Sequence, residues 1–214
     1  NVITYNDMGV QIRGSNTYSV TIQNNWIGVD ADGTGALDPR HLVVTDDGTL
    51  FLANYGQGVF KSTDGAVTWQ PATAGMTTTQ VTLLAAAPNF ATSQTAWACS
   101  DGVLFVTTDG GGQWSQVYNQ FPGALKDLQA SPDYQNDHAL IAAIEEYGLY
   151  KSTDGGVNWR QVNTTLYVDN IAYSPNFGID QTILAGASSS PEVLRSTDAG
   201  ETWAASTTGL PGLS

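Results

Sequence analysis

Short apolar runs bounded by Gly, Pro, Asn and Asp follow one another down most of this chain, at lengths that suit strands rather than helices. Between residues 120 and 163 they fall at 124–130, 139–144, 148–152 and 158–162. That spacing predicts four short strands in one structural unit, and the same order of runs returns along the chain.

The return is periodic. Four copies of one pattern read Ser62-Thr63-Asp64-Gly65-Ala66-Val67-Thr68-Trp69, Thr107-Thr108-Asp109-Gly110-Gly111-Gly112-Gln113-Trp114, Ser152-Thr153-Asp154-Gly155-Gly156-Val157-Asn158-Trp159 and Ser196-Thr197-Asp198-Ala199-Gly200-Glu201-Thr202-Trp203. Their aspartates lie 45, 45 and 44 residues apart. A second landmark keeps step: Ala87-Pro88-Asn89-Phe90, Ser131-Pro132-Asp133-Tyr134 and Ser174-Pro175-Asn176-Phe177 recur 44 and 43 residues apart. Two motifs in register define a repeat architecture.

The chemistry of the first motif is that of a turn. A carboxylate or hydroxyl there accepts backbone N–H groups of the same turn, and Gly supplies the left-handed residue that closes it. The Trp then packs its large apolar surface between strands. Ser62, Asp64, Trp69, Thr107, Asp109, Gly111, Trp114, Ser152, Asp154, Gly156, Trp159, Ser196, Asp198, Gly200 and Trp203 are therefore read as structural rather than catalytic. Ala66 stands where the other copies have Gly, and a Cβ at positive φ is unfavourable.

The pattern Ser-x-Asp-x-Gly-x-Thr-Trp resembles the Asp-box, or BNR repeat, of sialidases, xyloglucanase-type glycoside hydrolases, sortilin-like receptors and photosystem assembly factors. The resemblance implies a hairpin between the third and fourth strands of a β-propeller blade. The expected fold is all-β, with four four-stranded blades at approximately 39–75, 76–119, 120–163 and 164–208, forming part of a propeller.

Residues 1–38 carry no such motif. Asn1-Val2-Ile3-Thr4-Tyr5-Asn6 and Val20-Thr21-Ile22-Gln23-Asn24-Asn25 place an aliphatic residue and an asparagine at matching offsets, 19 residues apart. That length suits a coil of a parallel β-helix. The stretch from Gln23 to Leu37 is similar to bacterial pectin-lyase-like β-helix repeats, so the end of a right-handed β-helix is expected here. A rival reading takes Asp30 and Asp32 into a calcium loop. Its twelfth position is His41, which cannot supply the bidentate carboxylate of such a loop. No other metal and no cofactor is expected.

With 20 acidic and 7 basic residues the net charge is −13, which excludes nucleic acid and anionic membrane as natural partners. No apolar run is long enough for a membrane-spanning helix, so no insertion is expected. Cys99 is the single cysteine, in an apolar run, and is expected to be a buried thiol. His41 and His138 read as surface histidines. The segment 207–214 resembles a linker opening a further blade. The chain is expected to be an internal piece of a longer, secreted or cell-surface protein, with the remaining blades among its partners.

Candidate chemistry gathers in the connections on the other face from the repeated turns, where propellers usually bind ligands. There Tyr55, Tyr118, Phe121, Tyr147 and Tyr167 accompany Glu145 and Glu146, and aromatic faces beside carboxylates suit a neutral sugar chain. Asp127 and Asp169, near the starts of inner strands, are the candidate pair for glycoside hydrolysis. Four arginines, Arg13, Arg40, Arg160 and Arg195, are too scattered for the arginine triad the sialidase resemblance implies. The favoured function is a non-catalytic extracellular recognition or scaffold module binding a polysaccharide or protein surface, with carbohydrate as the preferred ligand. A xyloglucanase-like hydrolase fragment and a protein-binding assembly scaffold are the alternatives.

Overall fold

The computed structural model describes residues 38–165, 167–188, 192–206 and 208. The expected β-helix coils and the calcium candidates Asp30 and Asp32 lie outside the described residues. Four sheets follow in chain order. They comprise β1 (Pro39–Val44), β2 (Leu50–Asn54), β3 (Gly58–Ser62) and β4 (Gln70–Pro71); then β5 (Leu83–Ala86), β6 (Ala96–Ser100), β7 (Val103–Thr107) and β8 (Ser115–Tyr118). Next come β9 (Leu125–Ala130), β10 (Leu140–Ile144), β11 (Gly148–Ser152) and β12 (Arg160–Asn163), and finally β13 (Val168–Tyr173), β14 (Ile183–Ala187), β15 (Glu192–Ser196) and β16 (Ala204–Ala205). Each sheet is a four-stranded antiparallel meander.

Burial explains the composition of each strand. Second strands β6 and β10 are covered on both faces, so β10 is the unbroken apolar run Leu140–Ile144, buried at every position. Fourth strands such as β12 are half exposed and polar. In three sheets the first strand carries an extra residue, Arg40, Lys126 or Asp169, at a break in register with the second strand.

The proline landmarks each form a one-turn helix: α1 (Phe90–Ser93), α2 (Tyr134–Asp137) and α3 (Phe177–Asp180). Each begins with a buried aromatic and ends on a left-handed residue, Gln94, His138 or Gln181. The carbonyl of that residue accepts the backbone N–H of Gly110, Gly155 or Ala199 from the repeated turn of its own sheet, at 2.9, 3.0 and 3.0 Å. Helix and turn therefore share one end of the sheet, as the meander requires.

The turns themselves are nearly identical. The Ser or Thr hydroxyl donates to the aspartate at 2.7–2.8 Å and accepts the N–H of the residue four ahead, Ala66, Gly111, Gly156 or Gly200, at 2.8–3.0 Å. The aspartate accepts one or two further backbone N–H groups at 2.9–3.1 Å. Ala66 adopts φ 67° despite its Cβ and is buried, so the polar bonds and packing outweigh the left-handed penalty.

The chain divides into two compact units, one up to Val117 and one from Tyr118. In the first unit, Phe51 meets Phe90 and Trp114 of the following sheet edge to face, with centroids 5.5 and 6.3 Å apart. Lys61 donates to the Gly110 carbonyl at 2.8 Å. His41, expected at the surface, is instead half-buried, and its Nδ1 accepts the N–H of Leu84 at 3.4 Å. In the second unit, Ile141 packs with Ile171, Phe177 and Ile183. Lys151 donates to the Ala199 carbonyl at 2.8 Å and to Glu201 at 2.7 Å.

Candidate functional site

The β10–β11 turn places Glu145, Glu146 and Tyr147 at the end of the sheet opposite the repeated turn. The incoming connector runs directly against it. The Ala124 carbonyl accepts the Glu145 N–H at 2.9 Å, and a Cβ on Gly123 would lie 2.8 Å from the Glu145 carbonyl oxygen and 3.1 Å from the Tyr147 ring. Gly123 thus permits a contact that no larger residue allows without displacement.

Tyr147 is 41% exposed and Tyr167, on the outgoing connector, 36%. The Tyr167 hydroxyl donates to Glu146 at 3.4 Å, which ties connector to turn. Glu145 pairs with Lys126, the extra residue of β9, at 2.6 Å. Gln161 donates to the Tyr147 carbonyl at 2.6 Å. Glu146 and Tyr167 hold left-handed backbones, φ 63° and 57°, conformations that non-glycine residues rarely adopt outside constrained sites. The result is a patch with two accessible phenol rings beside two carboxylates.

Two of the expected ligand residues do something else. Tyr118 and Phe121 are half-buried and meet edge to face with centroids 4.6 Å apart, and Trp159 lies 5.1 Å from Phe121 and 6.4 Å from Tyr118. They pack the side of the second unit. Tyr55 belongs to the first unit, where it is 37% exposed and the Arg40 guanidinium lies 5.1 Å from its ring centroid.

Asp127 is only 2% exposed. Its Oδ1 accepts the Leu128 N–H and the Gln129 amide, both at 2.9 Å, and its Oδ2 accepts the N–H of Ile171 in the next sheet at 2.6 Å. The carboxylate is committed to joining two sheets. By register it corresponds to Asn170, whereas Asp169 takes the half-buried extra position of β13. Sequence reasoning missed this joining role, and with it the parallel roles of His41, Lys61 and Lys151. The available signal was the lysine immediately before Ser62 and before Ser152.

Among the described residues no cluster of three or more His, Cys, Asp or Glu is arranged to hold a metal ion. None of the described helices is long and apolar enough to cross a membrane.

No family model and no curated protein matches the chain. Solved structures do. The GH74 xyloglucanase from Xanthomonas campestris aligns at 20% identity and TM-score 0.60 over 79% of this chain and 30% of its own. YCF48 bound to D1 peptide aligns at 17% and 0.60, over 84% and 56%. The GH74 enzyme of Niastella koreensis aligns at 22% and 0.59, over 84% and 26%. The chain spans less than two thirds of each neighbour's length. At these identities the likeness is one of fold: four propeller-type blades, each a four-stranded antiparallel meander.

Proposed function

We propose that this chain is a non-catalytic recognition module of an extracellular Asp-box repeat protein, and that its ligand is a neutral polysaccharide. The observation that carries the reading is the placement of exposed Tyr147 and Tyr167 around Glu145 and Glu146 at one end of the third sheet. Aromatic rings offer flat apolar faces to the C–H surface of a sugar, while carboxylates accept its hydroxyl protons. The backbone bonds that tie the surrounding connectors down keep the ordering cost of binding low. Asp127, one of the candidate pair for hydrolysis, already uses both oxygens in the core.

The test is affinity electrophoresis of the whole chain through gels containing neutral plant or microbial polysaccharides, with new reducing ends assayed alongside. Retention that is lost in Tyr147→Ala, with no reducing ends released, supports the module. Reducing ends that disappear in Asp169→Asn would make the chain a hydrolase fragment. A protein ligand is the second reading, favoured by the fold shared with YCF48, which was solved with D1 peptide bound; failure on every polysaccharide turns the search there.

A further inference from the structure

Each unit joins its two sheets through the same three positions, and this identifies the surface that one sheet offers to the next. On the second and third strands these are cross-strand partners: Phe51 opposite Lys61 in the first unit and Ile141 opposite Lys151 in the second. The apolar member enters the next sheet, and the lysine takes the carbonyl of the residue after its turn aspartate, Gly110 or Ala199. On the first strand an acceptor side chain, His41 or Asp127, takes a backbone N–H of the next sheet, Leu84 or Ile171.

The last sheet carries the same set. Leu184 stands opposite Arg195, and Asn170 occupies the position of Asp127. Leu for Ile, Arg for Lys and Asn for Asp preserve an apolar wedge, a long cationic donor and a short acceptor. Here, however, the set faces outward: Leu184 is 41% exposed, against 1% for Phe51 and 0% for Ile141, and Arg195 and Asn170 are exposed. The sequence beyond the last turn adds a second observation. Thr207-Thr208-Gly209-Leu210 matches Thr73-Ala74-Gly75-Met76, with each Gly six residues after the turn tryptophan. In the first unit that connector lies on the next sheet, where Ala72 and Ala74 carbonyls accept the Trp114 indole and backbone N–H groups, both at 2.8 Å.

We propose that the outer face of β13–β15 docks one further blade of the same repeat, carried by the same polypeptide. Leu184 enters its apolar layer, Arg195 takes the carbonyl after its turn aspartate, and Asn170 accepts an N–H of its first strand. Because a single repeat cannot bury its apolar face alone, that blade would fold against this surface.

The experiment appends a second copy of residues 163–206 directly after Ser206, a splice that keeps the 44-residue step between the third and fourth turns. Leu184→Cys is then labelled with a thiol reagent in the 214-residue chain and in the extended chain. The docked blade is expected to slow labelling by about a hundredfold, as local protection does for buried groups. Arg195→Glu in the extended chain should restore much of the lost reactivity. Hydroxyl-radical oxidation of Leu184 in the unsubstituted chains reads the same protection without the cysteine. Equal reactivity with and without the added repeat overturns the proposal, whether or not that repeat folds, since an appended blade left unfolded has found no surface. Slow labelling of a 214-residue chain that sediments as a dimer also overturns it, by assigning the face to a second copy.

Discussion

Asp64 and Asp198 bind their protons weakly because their carboxylates collect donors. The Thr68 and Thr202 hydroxyls come first, followed by the backbone N–H groups of the same residues, and both carboxyls are lowered to about 2. A group whose folded pKa lies below its unfolded value adds stability above the unfolded value, and that stability is lost as pH falls through the folded one. The turns should therefore hold at neutral pH and weaken between about pH 4 and pH 2. Carboxyl-carbon NMR titration checks this, with both midpoints near 2 expected; midpoints at ordinary aspartate values would contradict the turn geometry. Cys99 shows the opposite influence. Burial pushes its thiol up to about 12, so it should resist thiol reagents in the native chain and react only on unfolding.

The paired lysine contacts join successive sheets through residues that lie far apart in sequence. Lys151 is nearly buried and satisfies both the Ala199 carbonyl and Glu201. Lys151→Ala should cost about 2–3 kcal/mol in urea unfolding, because it leaves a carbonyl and part of a carboxylate without their donor. Lys151→Met should recover some of that through its buried stem. An unchanged midpoint in Lys151→Ala would remove the lysine from the account. The elements themselves were largely legible in the sequence. The run at 148–152 is β11, and the run at 139–144 begins one residue before β10. The one-turn helices were not legible, since four residues show no helical period and their shape depends on a buried Phe90, Tyr134 or Phe177. Nor was the role of Asp127, because a carboxylate near a strand start looks the same on paper whether it faces solvent or a neighbouring sheet. Tyr118 and Phe121 were drawn to the candidate site by residue type, and Trp159 claims them for packing.

For the whole molecule, an excess of acidic over basic residues and a net charge of −13 argue against a polyanionic ligand. A neutral polysaccharide would bind through stacking and hydrogen bonds, so its affinity should change little with salt over the range where screening weakens surface charge pairs. The most direct measurement is calorimetric titration of the 214-residue chain with neutral oligosaccharides, repeated for Tyr147→Ala. The account predicts saturable binding, roughly tenfold weaker in the variant, equivalent to about 1.4 kcal/mol, with the sugar recovered intact. Equal affinity in Tyr147→Ala, or sugar recovered in cleaved form, would contradict it.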